Sequence, residues 1–324
     1  MALTFAELES VTDDYFLLDN GAAVDIYFNT SFLLEYFLNQ KKGIWDRPDG
    51  GMKIRVPLEY DGQEAGFYAR GETISSDDRE SVNAAYFQWA HAYGNATIYR
   101  IDSLQNSGEE AHVQLVQQRV GGAQKSLTKV LADSLFDDAG GSTKRLTGLR
   151  ACCNATTSTT YGSIAEDDLV SADGTKPWTG RRTTTATVAS LDWIRTMRST
   201  AKIRDGARGK PDLVVTTETL FNALSSILQH QQMLTEGKLT ANTGFTGINF
   251  EGCTIMADDY CPSGYGFGVN TNFAGFAVHK DGLFMRTEWR IIPDSPEDKT
   301  MKIYFDGNFV VNNRKGQICY SSVS

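Results

Sequence analysis

The stretch that most limits what this chain can fold into runs from Ser107 to Phe136. Val113, Val116, Val120, Ala123, Leu127 and Val130 step by alternating threes and fours, and Leu131 and Leu135 continue the stripe. That spacing is one face of an α-helix. Ser107 followed by Glu109 and Glu110 provides a start with acid in the first turn, where the helix dipole favours it, and Gly140-Gly141 provide the stop. The pattern predicts a helix of about 30 residues, about 45 Å long.

Two adjacent glycines, Gly121 and Gly122, sit in the middle of that stripe, each costing about 1 kcal/mol relative to alanine. The run VGGAQKSL invites comparison with a phosphate-binding loop. Such a loop needs a preceding strand and a glycine immediately before the lysine; here a helix precedes and Gln124 occupies that position. The glycines therefore lie inside a helix. They mark a bend, a close backbone approach, or a break between two shorter helices.

Ahead of the long helix, NTSFLLEYFLNQKK predicts a short helix capped by Asn29, Thr30 or Ser31, with Phe32, Leu33, Tyr36 and Phe37 apolar. The clearest strand is MKIRVPL: Met52, Ile54, Val56 and Leu58 alternate with Lys53, Arg55 and Pro57. Pro57 lacks an N–H, which suits an exposed hairpin. A polar, glycine-bearing segment over 59–83 follows, and AAYFQWAHAYGNATIYR returns. Residues 46–100 thus read as a long two-armed β excursion with a solvated tip. A hairpin alone is marginal in water, so this one needs a partner surface.

Residues 147–280 change character. A polar Gly/Thr-rich stretch leads to an amphipathic helix in ATVASLDWIRTMRSTAKI, and PDLVVTTETLFNALSSIL reads as a buried strand, a threonine cap and a second helix. This is an α/β unit with helices on a sheet. The C-terminal LFMRTEWRIIPD and MKIYFDGNFVVNNRKGQICY are long alternating strands that the long helix would cover. The whole is an α+β chain.

The search for chemistry is mostly negative. His91, His112, His230 and His279 show no metal-binding spacing, and adjacent Cys152-Cys153 make a poor zinc half-site. No metal and no cofactor are expected. Five cysteines without a CxxC pair fit reduced, buried thiols. Asp137-Asp138, Asp167-Asp168 and Asp258-Asp259 fall in loops or at helix ends, where solvated carboxylates are the default. GYGFGVNTN runs toward a strand, not a helix, which rules out a dinucleotide fingerprint. The net charge is −9 with no basic block, so the footprint of a dedicated nucleic-acid binder is missing. The sequence carries no apolar run of the ~20 residues a spanning helix needs.

The order of these parts resembles the major capsid proteins of tailed bacteriophages, a fold shared with encapsulins and herpesvirus capsid floors. The stretches that carry the likeness are GGMKIRVPL, AAYFQWAHAYGNATIYRIDSLQNSGEEAHVQLV, Tyr161-Gly162-Ser163-Ile164 with Trp178, PDLVVTTETLFNALSSIL and GNFVVNNRKG. The resemblance implies an N-arm over 1–28, a connector with a short helix over 29–45 and an extended E-loop over 46–100. It implies a peripheral domain over 101–146 and 281–324 with the long helix as its spine, and an axial domain over 147–280. It also implies a non-enzymatic, self-assembling icosahedral shell of hexamers and pentamers around double-stranded DNA, held without sequence-specific contacts. The protein would be made in the host bacterial cytoplasm and end in the virion. Its partners would be a separate scaffolding protein, a portal and a decoration protein.

On this resemblance Met52, Ile54, Val56, Leu58, Phe67 and Tyr68 would supply the E-loop contacts between neighbours, and Gly121 and Gly122 a hinge in the spine. Some members of the family weld neighbours through an E-loop lysine and an asparagine. Here the only lysine between Gly51 and Gln124 is Lys53, at the foot of the excursion, and Arg70 and Arg79 near the tip are poor nucleophiles. A shell closed without covalent cross-links is expected. Two other readings are an encapsulin-like shell and a cytosolic hydrolase using Cys and His within 147–280.

Overall fold

A computed structural model describes residues 31–39, 50–73, 80–105, 109–138, 144–154, 160–203, 209–232, 248–293, 295 and 297–323. In chain order the elements are α1 (Phe32–Asn39), β1 (Ile54–Glu59), β2 (Val82–Phe87), β3 (Ala90–Ile98), α2 (Arg100–Gln105), α3 (Glu109–Leu135) and α4 (Leu149–Cys153). Then come β4 (Arg182–Thr183), α5 (Leu191–Thr200), β5 (Leu213–Thr216), α6 (Glu218–Gln232), β6 (Ile248–Phe250), β7 (Cys253–Ala257) and β8 (Gly266–Val269). The chain closes with β9 (Ala274–Val278), β10 (Met285–Arg286), β11 (Arg290–Ile291), β12 (Lys299–Val311) and β13 (Ile318–Tyr320).

The long helix exists as α3, 27 residues that run unbroken through Gly121 and Gly122. Val116, Val120, Ala123, Leu127, Leu131 and Leu135 are buried, as the stripe predicts. Val130 is a correction: it is 56% exposed. At 100° per residue the buried face passes from Leu127 to Leu131, and Val130 falls off its edge.

What α3 covers is the sheet built on β12. This 13-residue strand pairs antiparallel with β3 over Lys299–Gly307 and with β9 over Gly307–Val311, while β10 and β11 pair along its other edge. Helix and sheet approach tightly at Gly94 of β3. A Cβ there would lie 2.7 Å from the Ala123 carbonyl oxygen, whereas Gly122 has open space around it. The tight backbone approach near the glycine pair is therefore real, but the strand's glycine makes it.

The two-armed excursion is narrower than 46–100. Only β1 and β2 form the hairpin, in register from Ile54 opposite Phe87 to Glu59 opposite Val82. β3 leaves it to join β12, because its inward residues Ala90, Ala96 and Ile98 complete the core beneath α3.

The second sheet has the order β4-β13-β8-β5-β7-β6. Its middle strand β5 is buried throughout. Leu213 and Val215 face the main core, and Val214 faces a smaller core beneath α5 and α6. Gly266 and Gly268 of β8 sit where α5 crosses. A Cβ on Gly266 would collide with Trp193 and one on Gly268 with Met197, so the glycines of GYGFGVNTN serve helix–sheet packing.

The sheets do not respect a boundary at residue 280. β9 belongs to the β12 sheet and β13 to the other, so the chain crosses between the two at its C-terminal end.

α1 is pinned by Asp258. The Ser31 hydroxyl (2.8 Å) and the Leu33 N–H (3.0 Å) donate to Oδ2, and the Tyr260 N–H (2.9 Å) donates to Oδ1. Burial pushes this carboxyl above the usual carboxylate range, and the three donors hold it back. Phe37 then packs edge-on against Phe276 and Phe309.

Gly94→Ala should cost about 1–3 kcal/mol in chemical denaturation, since a backbone carbonyl cannot give way to a Cβ. Gly122→Ala should instead stabilise the isolated chain by about 1 kcal/mol. Asp258→Ala should cost about 2–4 kcal/mol, through two charge-assisted bonds to α1 and one to Tyr260. The raised carboxyl means the folded chain holds that proton more tightly than the unfolded one. This group's contribution therefore falls as pH rises above the usual carboxylate range, and a thermal melt series should show no acid loss assignable to it.

Candidate assembly surfaces

The root of the β1–β2 hairpin is built rigidly. Ile54, Val56 and Leu58 alternate inward on β1, and Ala85 and Phe87, opposite Val56 and Ile54, do so on β2. Beneath them lies the turn Tyr161–Ile164, closed on itself by a bridge between its end residues. The Tyr86 N–H donates to the Gly162 carbonyl (2.8 Å), the Ser163 hydroxyl to the Tyr86 carbonyl (3.1 Å), and Phe87 meets Tyr161 edge-on at 5.1 Å. Gly162 is required here. Its φ is +63°, and a Cβ would stand 2.8 Å from that of Ala85.

This placement corrects half of the expected contact set. Ile54, Val56 and Leu58 are buried in the chain's own core, so they are not surface for a neighbour. Their alternation marked an apolar face, and the partner of that face is the chain itself.

Beyond the root the picture reverses. Tyr60 N–H closes the ladder on the Ser81 carbonyl, and Asp61 accepts from the Ala172 N–H at 2.9 Å. Residues 62–73 are exposed throughout. Phe67 is 107% exposed and Tyr68 72%, and Met52 at the foot of β1 is 97% exposed. Among the described residues nothing covers these three apolar side chains. Lys53 is exposed beside Met52, Arg70 is exposed near the tip, and Arg79 lies outside the described residues. The N-arm expected over 1–28 lies outside them as well.

Cys253 and Cys261 are buried, and burial pushes the Cys253 thiol up to about 12 and the Cys261 thiol higher still, which disfavours both as nucleophiles. His279 meets Trp89 edge-on at 5.9 Å and its Nδ1 accepts from the Asp281 N–H; the side chain of His230 lies outside the described residues. The acidic pairs are engaged internally: Asp137 with Arg145, Asp138 with Arg150, Asp167 with Lys176, and Asp258 with α1. No group of three or more metal-binding side chains gathers among the described residues. No helix among them is long and apolar enough to cross a membrane.

A rigid root carrying an uncovered apolar segment suits a chain that is completed by a neighbour. The comparisons agree in fold. No family model matches the sequence, and no curated protein matches it. Solved structures do. A chain of the Cyanophage A-1(L) capsid asymmetric unit matches with a TM-score of 0.64, at 10% identity over 87% of this chain and 90% of that one. The chain has the capsid-shell fold. The capsid of the native GTA particle matches with a TM-score of 0.59, at 8% identity over 88% of this chain and 89% of that one. The SrpI encapsulin complex from Synechococcus elongatus PCC 7942 matches with a TM-score of 0.52, at 9% identity over 88% and 87%. Within the capsid-shell fold the resemblance read from the order of parts is recovered along most of the chain, at an identity too low for sequence comparison to register.

The division between root and tip can be measured on the chain itself. Val56→Ser should cost about 2–4 kcal/mol in urea denaturation, because it places a hydroxyl in a closed apolar core. Phe67→Ser should leave the unfolding free energy of the isolated chain within about 0.5 kcal/mol of wild type.

Proposed function

We propose that this chain is a major capsid protein of a tailed bacteriophage, assembling as hexamers and pentamers into an icosahedral shell around double-stranded DNA. The observation that carries the reading is the exposed 62–73 segment with Phe67 and Tyr68, on a fold shared with capsid proteins over most of its length. In this reading the β1–β2 hairpin and its tip are the E-loop, α3 is the spine of a peripheral domain, and the β5-centred sheet with α5 and α6 forms the axial domain. Residues 1–28 are an N-arm. The hairpin tip and the N-arm dock on neighbouring copies, with Met52, Phe67 and Tyr68 as the apolar contacts.

Two large aromatic side chains bury ~150–250 Å² each. At ~25 cal/mol per Å² that amounts to several kcal/mol per contact before ordering costs, and repetition around a closed shell multiplies it. The acidic balance suits a wall that encloses DNA without gripping it. A scaffolding protein, a portal and a decoration protein would be its partners in assembly. The likeness to the SrpI encapsulin complex favours one second reading, a shell without a genome.

Electron microscopy of the purified protein should show closed shells, or rings of five and six copies. Nuclease-protected double-stranded DNA in particles from the native source supports the phage reading, and protein cargo without DNA supports the encapsulin reading. A protein that stays monomeric at high concentration contradicts both. On a reducing denaturing gel, mature particles should run as a single chain, because Lys53 at the hairpin foot is the only lysine between Gly51 and Gln124. A ladder of covalent multimers would overturn that expectation.

Gly121 and Gly122 are proposed as a hinge used in shell maturation. Replacing both by alanine should leave folding of the single chain intact or improved, and should reduce the yield of expanded shells. Unchanged shell yield and expansion would sink the hinge.

A further inference from the structure

Two arginines meet at Tyr265, the residue before β8, with fewer acceptors than their donors require. The Arg150 guanidinium, on α4, stands 5.0 Å from the Tyr265 ring centre. Arg182, on β4 and in register with Cys319 of β13, donates from a terminal nitrogen to the Tyr265 hydroxyl at 3.2 Å. The Nε of each arginine is buried and has no acceptor among the described residues. Arg150 approaches the Asp138 carboxylate only at 3.9 Å, beyond hydrogen-bond reach. No carboxylate pairs with Arg182 among the described residues; the phenol it reaches is neutral.

Both charges are felt at one place. Burial pushes the Cys319 thiol up to about 12, and the Arg182 and Arg150 charges both pull against that rise. Neither arginine is sealed in the core: both are part-exposed, and a ligand can approach their terminal nitrogens from solvent. Two cations against one distant carboxylate leave the spot positive, and the forked donors of a guanidinium match a carboxylate in geometry.

The chain itself carries a segment of the complementary charge. Residues 1–30, which lie outside the described residues, contain Glu7, Glu9, Asp13, Asp14, Asp19 and Asp25 and no lysine, arginine or histidine. This segment joins the fold at Ser31, whose hydroxyl donates to Asp258 at 2.8 Å. Asp258 opens the loop that ends at Tyr265. Within it the Cys261 N–H donates to the Asp258 carbonyl (3.1 Å) and the Cys261 thiol to the Tyr265 carbonyl (3.6 Å). The acidic segment therefore enters one short loop away from the two arginines. Asp25 precedes Ser31 by six positions, and six extended residues span about 20 Å. It is the first carboxylate of the segment within reach.

We propose that Arg150 and Arg182 form a carboxylate-binding site for the acidic segment 1–30 of the same chain, with Asp25 as the ligand. The contact fixes the foot of the segment beside Tyr265 and leaves residues 1–24 for the docking on neighbouring copies proposed above. It concerns the single chain and does not rest on shell formation.

The test uses the full chain carrying Arg182→Lys, which puts an amine where the guanidinium was. A water-soluble carbodiimide joins an amine to a carboxylate in contact with it, and mass spectrometry of the digested protein locates the new amide. The expected product joins position 182 to Asp25. A mixture of isotopically labelled and unlabelled chains should show the two ends in the same copy. The wild type should give no such product, because a guanidinium is a poor nucleophile. A link from position 182 to any other carboxylate, a link to the segment of another copy, or no link at all overturns the proposal. Thermal melts of the full chain give a second reading that does not need the lysine variant. Asp25→Asn and Arg182→Gln should each lower the melting temperature, and the double variant should fall no further than the more harmful single change. Additive losses would overturn the contact.

Discussion

The buried Arg314 ties α4, the loop that carries Trp178 and the crossing from β12 to β13 to one another. A guanidinium has no accessible neutral form, so placing one in the interior forces the surroundings to supply acceptors and aromatic faces in fixed positions. The carbonyls of Cys152, Asn154 and Trp178 meet that demand, and Gly180 is small so that the guanidinium and the Asn154 carbonyl can pass beside it. Trp178 in turn donates its indole N–H to the Tyr161 carbonyl, and Tyr161 carries Phe87 and the hairpin root. One charge therefore joins α4 and the β12–β13 crossing to the turn that supports the hairpin root.

That rigidity gives meaning to the exposed tip. A flexible apolar loop on a flexible stalk would be an aggregation hazard and would carry an ordering cost with every contact. Here Ile54, Val56 and Leu58 are committed to the chain's own core, while Met52, Phe67 and Tyr68 stay exposed. The stalk is fixed before any neighbour arrives, which keeps the entropy lost on docking confined to the tip. In the proposed shell each copy contributes few apolar contacts, and closure depends on their repetition around the assembly.

Local periodicity made a large part of this fold legible. The stripe of α3 apart from Val130, the alternation of β1 from Ile54 to Leu58 and the apolar face of α1 each depend on neighbours within a few residues, and these emerged as read. Choices that depend on distant partners did not. Val130 and Leu131 are both apolar at the next helical step, and only the sheet beneath decides which one is buried. β3 looked like the returning arm of the hairpin because its true partner, β12, lies about two hundred residues further on. The amphipathic face of β1 was plain, but whether it faces its own chain or another is not written in its alternation. The glycine pair drew attention to the right place on α3, while the steric demand belongs to Gly94 of the strand crossing it. Arg314 gave no signal at all, since a single arginine beside Lys315 reads as surface charge.

A chain complete in its core and incomplete at its tip should assemble through that tip. The most direct measurement is the native mass of a chain in which residues 62–79 are replaced by a short turn, compared with wild type at the same concentration. The shortened chain is expected to keep the wild-type thermal transition and a mass of one or a few copies, while the wild type forms shell-sized particles. Shell-sized particles from the shortened chain would contradict this, and so would loss of the folded state on shortening.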